Sequence, residues 1–247
     1  MRIIIIASFA GLFVCCAPNS FYINQEYLKG TLAIDTVFVF PISSDKIDTG
    51  FLATVKSFLG NEKSLFIRDF KLKNDANTEA VYADTFNAYF PKYLNTSLKW
   101  YTSKITMVSK TFEIKEVKYF NYDTILNQKS SDSLRLNFKV PDSNEISSRN
   151  ITTRYVLIPN NLKISWGFTS GTPGFGGVAG TPSTKSLILS IYYIVWDYKN
   201  NKPVAFGVAD GLVSAKYYTT NSDWYDIIKE ACKMLISNSP YNINIRK

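Results

Sequence analysis

The chain has 247 residues, 46% hydrophobic and 15% aromatic, which suffices for one substantial core and excludes disorder as its default state. Lys and Arg number 28 against 20 Asp and Glu, a net charge of +8, yet the basic residues are scattered singly, without the patch or stripe of a nucleic-acid binder, and no nucleic-acid partner is expected. The absence of histidine excludes Ser-His-Asp and Cys-His nucleophile systems and the usual zinc ligand sets.

The amino terminus, MRIIIIASFAGLFVCCAPNS, carries Arg2, runs apolar from Ile3 to Val14 and reaches Cys15 and Cys16 before a polar, Pro-containing stretch. An apolar segment of about twelve residues is too short for a span of about twenty and matches a signal-peptide core. "LFVCC" resembles the lipobox of bacterial lipoprotein signals, whose cysteine receives lipid on its sulfur. Lipidation at Cys16 puts the smaller Cys15 before the cut; the alternative, Cys15, puts Leu12 three positions upstream but bulky Val14 at the cut. Residues 1–16 thus read as the signal ending at the lipidation cysteine, Cys16 first and Cys15 second, and residues 17–30 as a tether. The resemblance implies a protein held by acyl chains. Ala17, where Asp is absent, implies an outer-membrane address facing the periplasm. Cys232, left without a partner, reads as a small buried hydrophobe.

Residues 31–247 form the single expected domain. TLAIDTVFVFPI (31–42) alternates with both faces apolar, as in a strand covered on both sides. A short helix is expected near 52–59 and a more exposed strand at 64–72. From Thr78 to Thr102, Tyr82, Phe86, Tyr89, Phe90, Tyr93, Leu94 and Leu98 recur at helical spacing. Pro91 either kinks that helix or starts a stronger one in its tolerated first turn. Strands are expected at 111–120 and 133–140, the second with Leu134, Leu136, Phe138 and Val140 inward, then a polar loop over 141–150.

Three long strands follow. The first, 153–168, is broken at Pro159-Asn160-Asn161 by a bulge or bend. The second, 186–198, is apolar on both faces. A polar turn at 199–202 then leads into the third, whose face Ala205, Gly207, Ala209, Gly211 and Ala215 is small enough to admit a helix closely. The candidate helix carries Trp224, Ile227, Ile228, Ala231 and Leu235 on one stripe, opens with Ser222 and Asp223, and stops at Ser-Asn-Ser-Pro (237–240). The fold class is α+β, a mixed, largely antiparallel sheet with helices packed on one face, an α/β sandwich.

Chemistry is sparse. Ser43 and Lys46 form an isolated S-x-x-K without helical setting or companion motifs. Asp35, Asp197 and Asp210 sit on or beside strands, and a converging pair would support a carboxylate-based hydrolase; hydrogen-bonded structural aspartates are the preferred reading. Trp100, Trp166, Trp196 and Trp224 offer rings for a stacking platform, and Trp166, Tyr192 or Trp196 would serve a glycan- or lipid-binding site if they lined a pocket, but the tryptophans fall mostly on apolar stripes that read as core. The loop 167–186, GFTSGTPGFGGVAGTPSTKS, runs into a strand with no helix behind it, which argues against a phosphate cradle. It reads as a hairpin tip whose apolar points Phe168, Phe175 and Val178 meet a partner or membrane, or as slack. No catalytic residue, metal site or cofactor is expected.

LILSIYYIVWDYKNNKPVAFGVADG, with its Trp196-Asp197, polar turn and Lys202-Pro203-Val204 restart, followed by the amphipathic stretch Trp224 to Leu235, resembles the periplasmic lipoprotein domains of the curli-secretion lipoprotein, TolB amino-terminal and transport-auxiliary lipoprotein group. That resemblance implies a βαβ-rich sandwich acting through protein contacts in the envelope, with no catalytic residues to carry over. The expected function is therefore a non-catalytic, lipid-anchored assembly or transport accessory with an envelope protein partner or self-assembly.

Overall fold

The computed structural model describes residues 21–28, 36–48, 78–100, 106–110, 117–124, 134–169, 184–214 and 221–242. In chain order these hold strand β1 (Phe21–Ile23), a 3-10 turn (Gln25–Tyr27), β2 (Thr36–Val39), a second 3-10 turn (Ser44–Lys46), β3 (Ile47–Asp48) and helix α1 (Thr78–Leu98). Then come β4 (Thr106–Ser109), β5 (Val117–Thr124), β6 (Leu134–Pro141), α2 (Ser143–Ser148), β7 (Tyr155–Thr169), β8 (Thr184–Asp197), β9 (Lys202–Ser214) and α3 (Asn221–Ser237). The main sheet has the order β1-β9-β8-β7-β2-β4, with β3 beside β7, while β5 and β6 form a separate hairpin. β7, β8, β9 and β1 pair antiparallel, and β2 runs parallel to both β7 and β4. This is the mixed α+β sheet that the alternation predicts.

Helices α1 and α3 share one face. Tyr82, Phe86, Phe90, Leu94 and Leu98, each four residues after the last, are all buried along α1, forming an i, i+4 ridge. Trp224, Ile227, Ile228, Ala231, Cys232 and Leu235 of α3 pack into the same core, with Leu187, Leu189, Ile191, Tyr193 and Val195 of β8 beneath. Trp224 ties the helices together: its indole N–H donates to Thr85 Oγ1 at 2.9 Å and its ring lies 5.0 Å from that of Tyr82. Cys232 is buried, as the sequence suggests, and burial pushes its thiol well up. The small face of β9 meets α3 as expected: a Cβ on Gly211 would stand 2.1 Å from the Ile227 carbonyl oxygen and 2.8 Å from the Ala231 amide nitrogen. The Ser-Asn-Ser stop works through its side chains. Ser237 and Ser239 hydroxyls donate to the Met234 and Ile236 carbonyls, and the Asn242 amide to the Ser237 carbonyl, satisfying orphaned last-turn acceptors.

Helix α1 runs through Pro91, neither ending nor restarting there. Pro91 cannot donate to the Asn87 carbonyl, but Asn87 on that turn is held from outside the helix: its side-chain amide accepts from Ile42 N at 2.8 Å and donates to Ile42 O at 2.9 Å. Two turns later Asn95 repeats the clasp on β4, accepting from Met107 N at 2.7 Å and donating to Met107 O at 2.9 Å. Each amide thus satisfies a backbone donor and acceptor as a neighbouring strand would.

The second sheet face is covered as well. It has its own core of Phe38, Phe40, Val156, Ile158, Ile194, Trp196 and Phe206, closed by Phe138 and Val140 of β6 and Ile146 of α2. The expected bulge is present, with the β7–β8 register shifting between Pro159 and Asn161. Its extra residue has a use: Asn160 Oδ1 accepts the Lys139 amide at 2.5 Å, fastening β6 to the sheet, while the Tyr198 hydroxyl donates to the Pro141 carbonyl at 2.8 Å. The stretch read as a polar loop after β6 is instead α2, because Asp142 caps it, accepting from Asn144 N at 3.0 Å.

Residues 21–28, read as the distal part of a tether, contribute edge strand β1 and the first 3-10 turn. Tyr22 stacks on Phe206 at 4.8 Å and Ile23 is buried, so the segment has apolar partners on both faces of the sheet. Asn24 N donates to Val204 O at 2.9 Å. The expected signal with Cys15 and Cys16, the expected helix near 52–59, the expected strand at 64–72 and Asp35 lie outside the described residues.

Candidate functional site

The densest polar constellation forms where β8 turns into β9. Asp197 ends an apolar strand, so its side chain is delivered to the helix-side core at the margin of the sheet, fully buried. Arg154 stands just before β7, whose first residue Tyr155 pairs with Asp197. Arg154 donates to Asp197 through Nη2 at 2.7 Å and Nε at 3.1 Å. From the other side the Tyr27 hydroxyl donates to Oδ2 at 2.8 Å, and Asn200 adds its side-chain amide at 2.8 Å and its backbone N–H at 3.2 Å. Asn201, with φ 48°, completes the turn in the left-handed region that Asn tolerates.

Burial is the largest influence on the Asp197 carboxyl and opposes its ionisation. The hydrogen bonds from Arg154, Tyr27 and Asn200, together with the Arg154 charge, outweigh it and hold the carboxyl below its usual range. Burial and then the bond to Asp197 push the Tyr27 hydroxyl up to about 12, so it donates throughout the physiological range. The Arg154 guanidinium also lies 4.8 Å above the Tyr155 ring, and Lys202, paired with Glu26, lies 5.4 Å above the Tyr27 ring.

A carboxylate offers about four lone-pair positions, and those of Asp197 are engaged within the chain. It joins the amino-terminal segment, the start of β7 and the β8–β9 turn, which makes it a latch. Asp210, the second strand aspartate, is exposed on the opposite face. It pairs with Ser190, seven residues along β8 from Asp197, roughly 23 Å at strand rise. Glycosidase carboxyls stand about 5–10 Å apart, so these two do not converge.

Trp196 is packed in the second core with Tyr192 half-buried against it; the side chain of Trp166 lies outside the described part. Trp100, read with the other tryptophans as core packing, is instead 82% exposed just past the end of α1, and Leu212, which carried no sequence signal, is 56% exposed on β9. A cleft between the end of β2 and α1, lined by Val39, Phe40, Pro41, Phe90, Pro91 and Lys110, holds 10 Å³, about one water's worth. Ser43 of the S-x-x-K pair bonds Asp45, which also pairs with Lys46, so the two are separate members of a surface turn. Among the described residues no three His, Cys, Asp or Glu side chains gather as a metal site, and no helix is long and apolar enough to cross a membrane. Of the hairpin tip, the Phe168 side chain, Phe175 and Val178 are outside the described residues.

Tyr27, Arg154 and Asn200 were not legible as Asp197 partners from sequence. Only the Asp-x-x-Asn spacing at the turn carried a signal, that of a side chain bonding nearby backbone.

No family model and no curated protein matches the chain. Among solved structures it is similar to the PelC dodecamer from Paraburkholderia phytofirmans, at 11% identity and TM-score 0.32 over 83% of this chain and 89% of that one. It is also similar to the hypothetical protein CT253 from Chlamydia trachomatis, at 10% identity and TM-score 0.29 over 72% and 73% of the two chains. At these TM-scores neither likeness fixes a fold or a function.

Proposed function

We propose that this protein is a lipid-anchored component of a bacterial cell envelope that acts through protein contacts, as an assembly or transport accessory, and not through catalysis. One observation carries the reading: an apolar segment of signal-peptide length ends at Cys15-Cys16, and the first described strand starts at Phe21, only five residues beyond Cys16. Support comes from the Asp197 carboxylate, consumed as a latch, and from Trp196, used in packing. The binding surface assigned to such an accessory is the sheet edge and the 167–186 tip.

Mass spectrometry of the membrane-extracted protein tests the anchor, with a diacylated Cys16 as the expected amino terminus and an unmodified Met1 as the refuting one. In-cell photo-crosslinking from the 167–186 segment tests the accessory role. A discrete heteromeric or homomeric adduct is expected; an unpartnered domain under the same illumination refutes it.

A further inference from the structure

Strand direction and tether length together orient the domain on its membrane. Because β1 runs antiparallel to β9, with Phe21 opposite Gly207 and Ile23 opposite Ala205, the chain enters β1 from the side of Ser214. That is also the end of the sheet where β7 stops at Thr169 and β8 starts at Thr184. The opposite end carries the Asn200–Asn201 turn and the Asp197 latch.

From Cys16 to Phe21 there are five residues, which span at most about 18 Å. Extended along the sheet, they bring the lipid-bearing sulfur level with Leu212, five residues past Gly207. The turn at Asn200–Asn201 lies about 20 Å the other way at strand rise, so a tether doubled back on its own strand does not pass it. One further residue, if Cys15 carries the lipid, adds about 3.5 Å and brings the limit to about 21.5 Å, level with the turn and no further.

The surface at the anchored end suits that placement. Leu212 is exposed and pairs with Ile188 on the face away from the helices, an apolar pair beyond the reach of the core under β6. Lys163 is exposed on the same stretch of sheet, where Asp210 of β9 and Asp48 of β3, the latter paired with Lys163, carry the opposite charge. The sequence joining β7 to β8 contains no Asp or Glu.

We infer that the half of the sheet around Leu212 and Ile188 lies against the bilayer that holds the acyl chains, with the Asn200–Asn201 turn directed away from it. The partner of this surface is lipid. The inference rests on the anchored reading above.

The test uses the full chain, processed by a bacterial host and reconstituted in phosphatidylcholine/phosphatidylglycerol vesicles. Leu212→Cys and Asn200→Cys are labelled separately with bimane; Cys232 is buried and lipidation at Cys16 removes Cys15 with the signal, while a Cys16→Ser background removes the remaining thiol where Cys15 carries the lipid, so the introduced thiol takes the label. Quenching by doxyl-labelled lipid should be several-fold stronger at position 212 than at position 200. Leu212 is surface-exposed; because the Asn200 side chain also donates to Asp197, Lys199→Cys, exposed at the same turn, is labelled as a second reporter that leaves the latch intact. Equal quenching, or stronger quenching at 200, in protein whose lipidated amino terminus is verified by mass overturns the orientation and leaves the anchor standing. An unmodified amino terminus overturns both.

Discussion

Gly211→Ala tests the closeness of β9 to α3 directly. The added Cβ would stand 2.1 Å from the Ile227 carbonyl oxygen, where ordinary contact begins near 3.4 Å. The obstacle is backbone on a packed helix, so no rotamer change relieves it, and α3 must retreat by about 1.3 Å over its contact with the sheet. A gap of 0.5–1 Å already forfeits roughly a quarter to a half of the dispersion well, and the row Ile227, Ile228, Ala231 and Leu235 is fully buried. We expect a loss of about 3 kcal/mol, the upper part of the range for overpacking, or a Tm lowered by roughly 6–12 °C for a domain of this size. Urea and thermal unfolding of residues 17–247 measure it. The second variant discriminates: Ala231→Gly in the Gly211→Ala background removes the 3.1 Å contact with Ala231 Cβ but leaves the Ile227 carbonyl, and adds about 1 kcal/mol of helix cost. Rescue by Ala231→Gly, or a neutral Gly211→Ala, would refute the account.

Asp197→Asn should cost about 3 kcal/mol, the foot of the range for breaking a buried pair, because Arg154 keeps 41% of its side chain exposed and rehydrates. The folded carboxyl titrates below 3.8, so its contribution is fully present above that pH and is lost as pH falls through the folded value. Wild type and variant should therefore converge in acid, and a gap that widens there refutes the latch. Asn95→Ala uncovers the Met107 N–H and C=O of edge strand β4. It should destabilise by about 1–3 kcal/mol and promote self-association through the bared edge, read by light scattering; an unchanged monomer with unchanged stability contradicts the clasp. Tyr193 buries a hydroxyl that finds no hydrogen-bond partner among the described residues. Tyr193→Phe should thus be neutral or stabilising by up to about 1 kcal/mol, and a clear loss in urea unfolding would show that the hydroxyl is satisfied.

Periodicity revealed the parts of this fold whose partners are generic. The i, i+4 ridge of α1, the two-sided apolarity of β8 and the small face of β9 each specify only "apolar here, close approach there". Any correctly shaped neighbour satisfies such a signal, so α3 was identifiable as the partner of β9 from its own stripe. What escaped were associations made by single polar atoms. Asn160 looked like a strand breaker, and its side-chain bond to Lys139 appears only once the hairpin β5–β6 is laid across the second face. Asn87 and Asn95 fall off the apolar stripe of α1, where helical spacing marks no partner, yet each satisfies a backbone donor and acceptor of another element. Residues 141–150 read as a loop because a six-residue helix is too short for periodicity; its start was marked by Asp142 alone.

Asp197 shows why a carboxylate in an apolar strand is ambiguous in sequence and decided in space. An isolated buried charge is too costly to keep, so such a residue is either a tuned reactive group in a cleft or a fully bonded joint, and both patterns look like one Asp after a run of Ile, Val and Trp. The deciding quantity is how much of its acceptor capacity the chain itself consumes. Here the donors are Tyr27, 170 positions away, Arg154, 43 away, and Asn200, three away, and no sequence window spans that set. Their convergence ties the first described segment of the chain to the turn of its central hairpin. The latch therefore lies at the end of the sheet opposite the one where the chain enters β1. A pull on the amino terminus along β1 loads the β1–β9 bonds in shear and is met behind them by Tyr27 on Asp197 and by Asn24 on Val204.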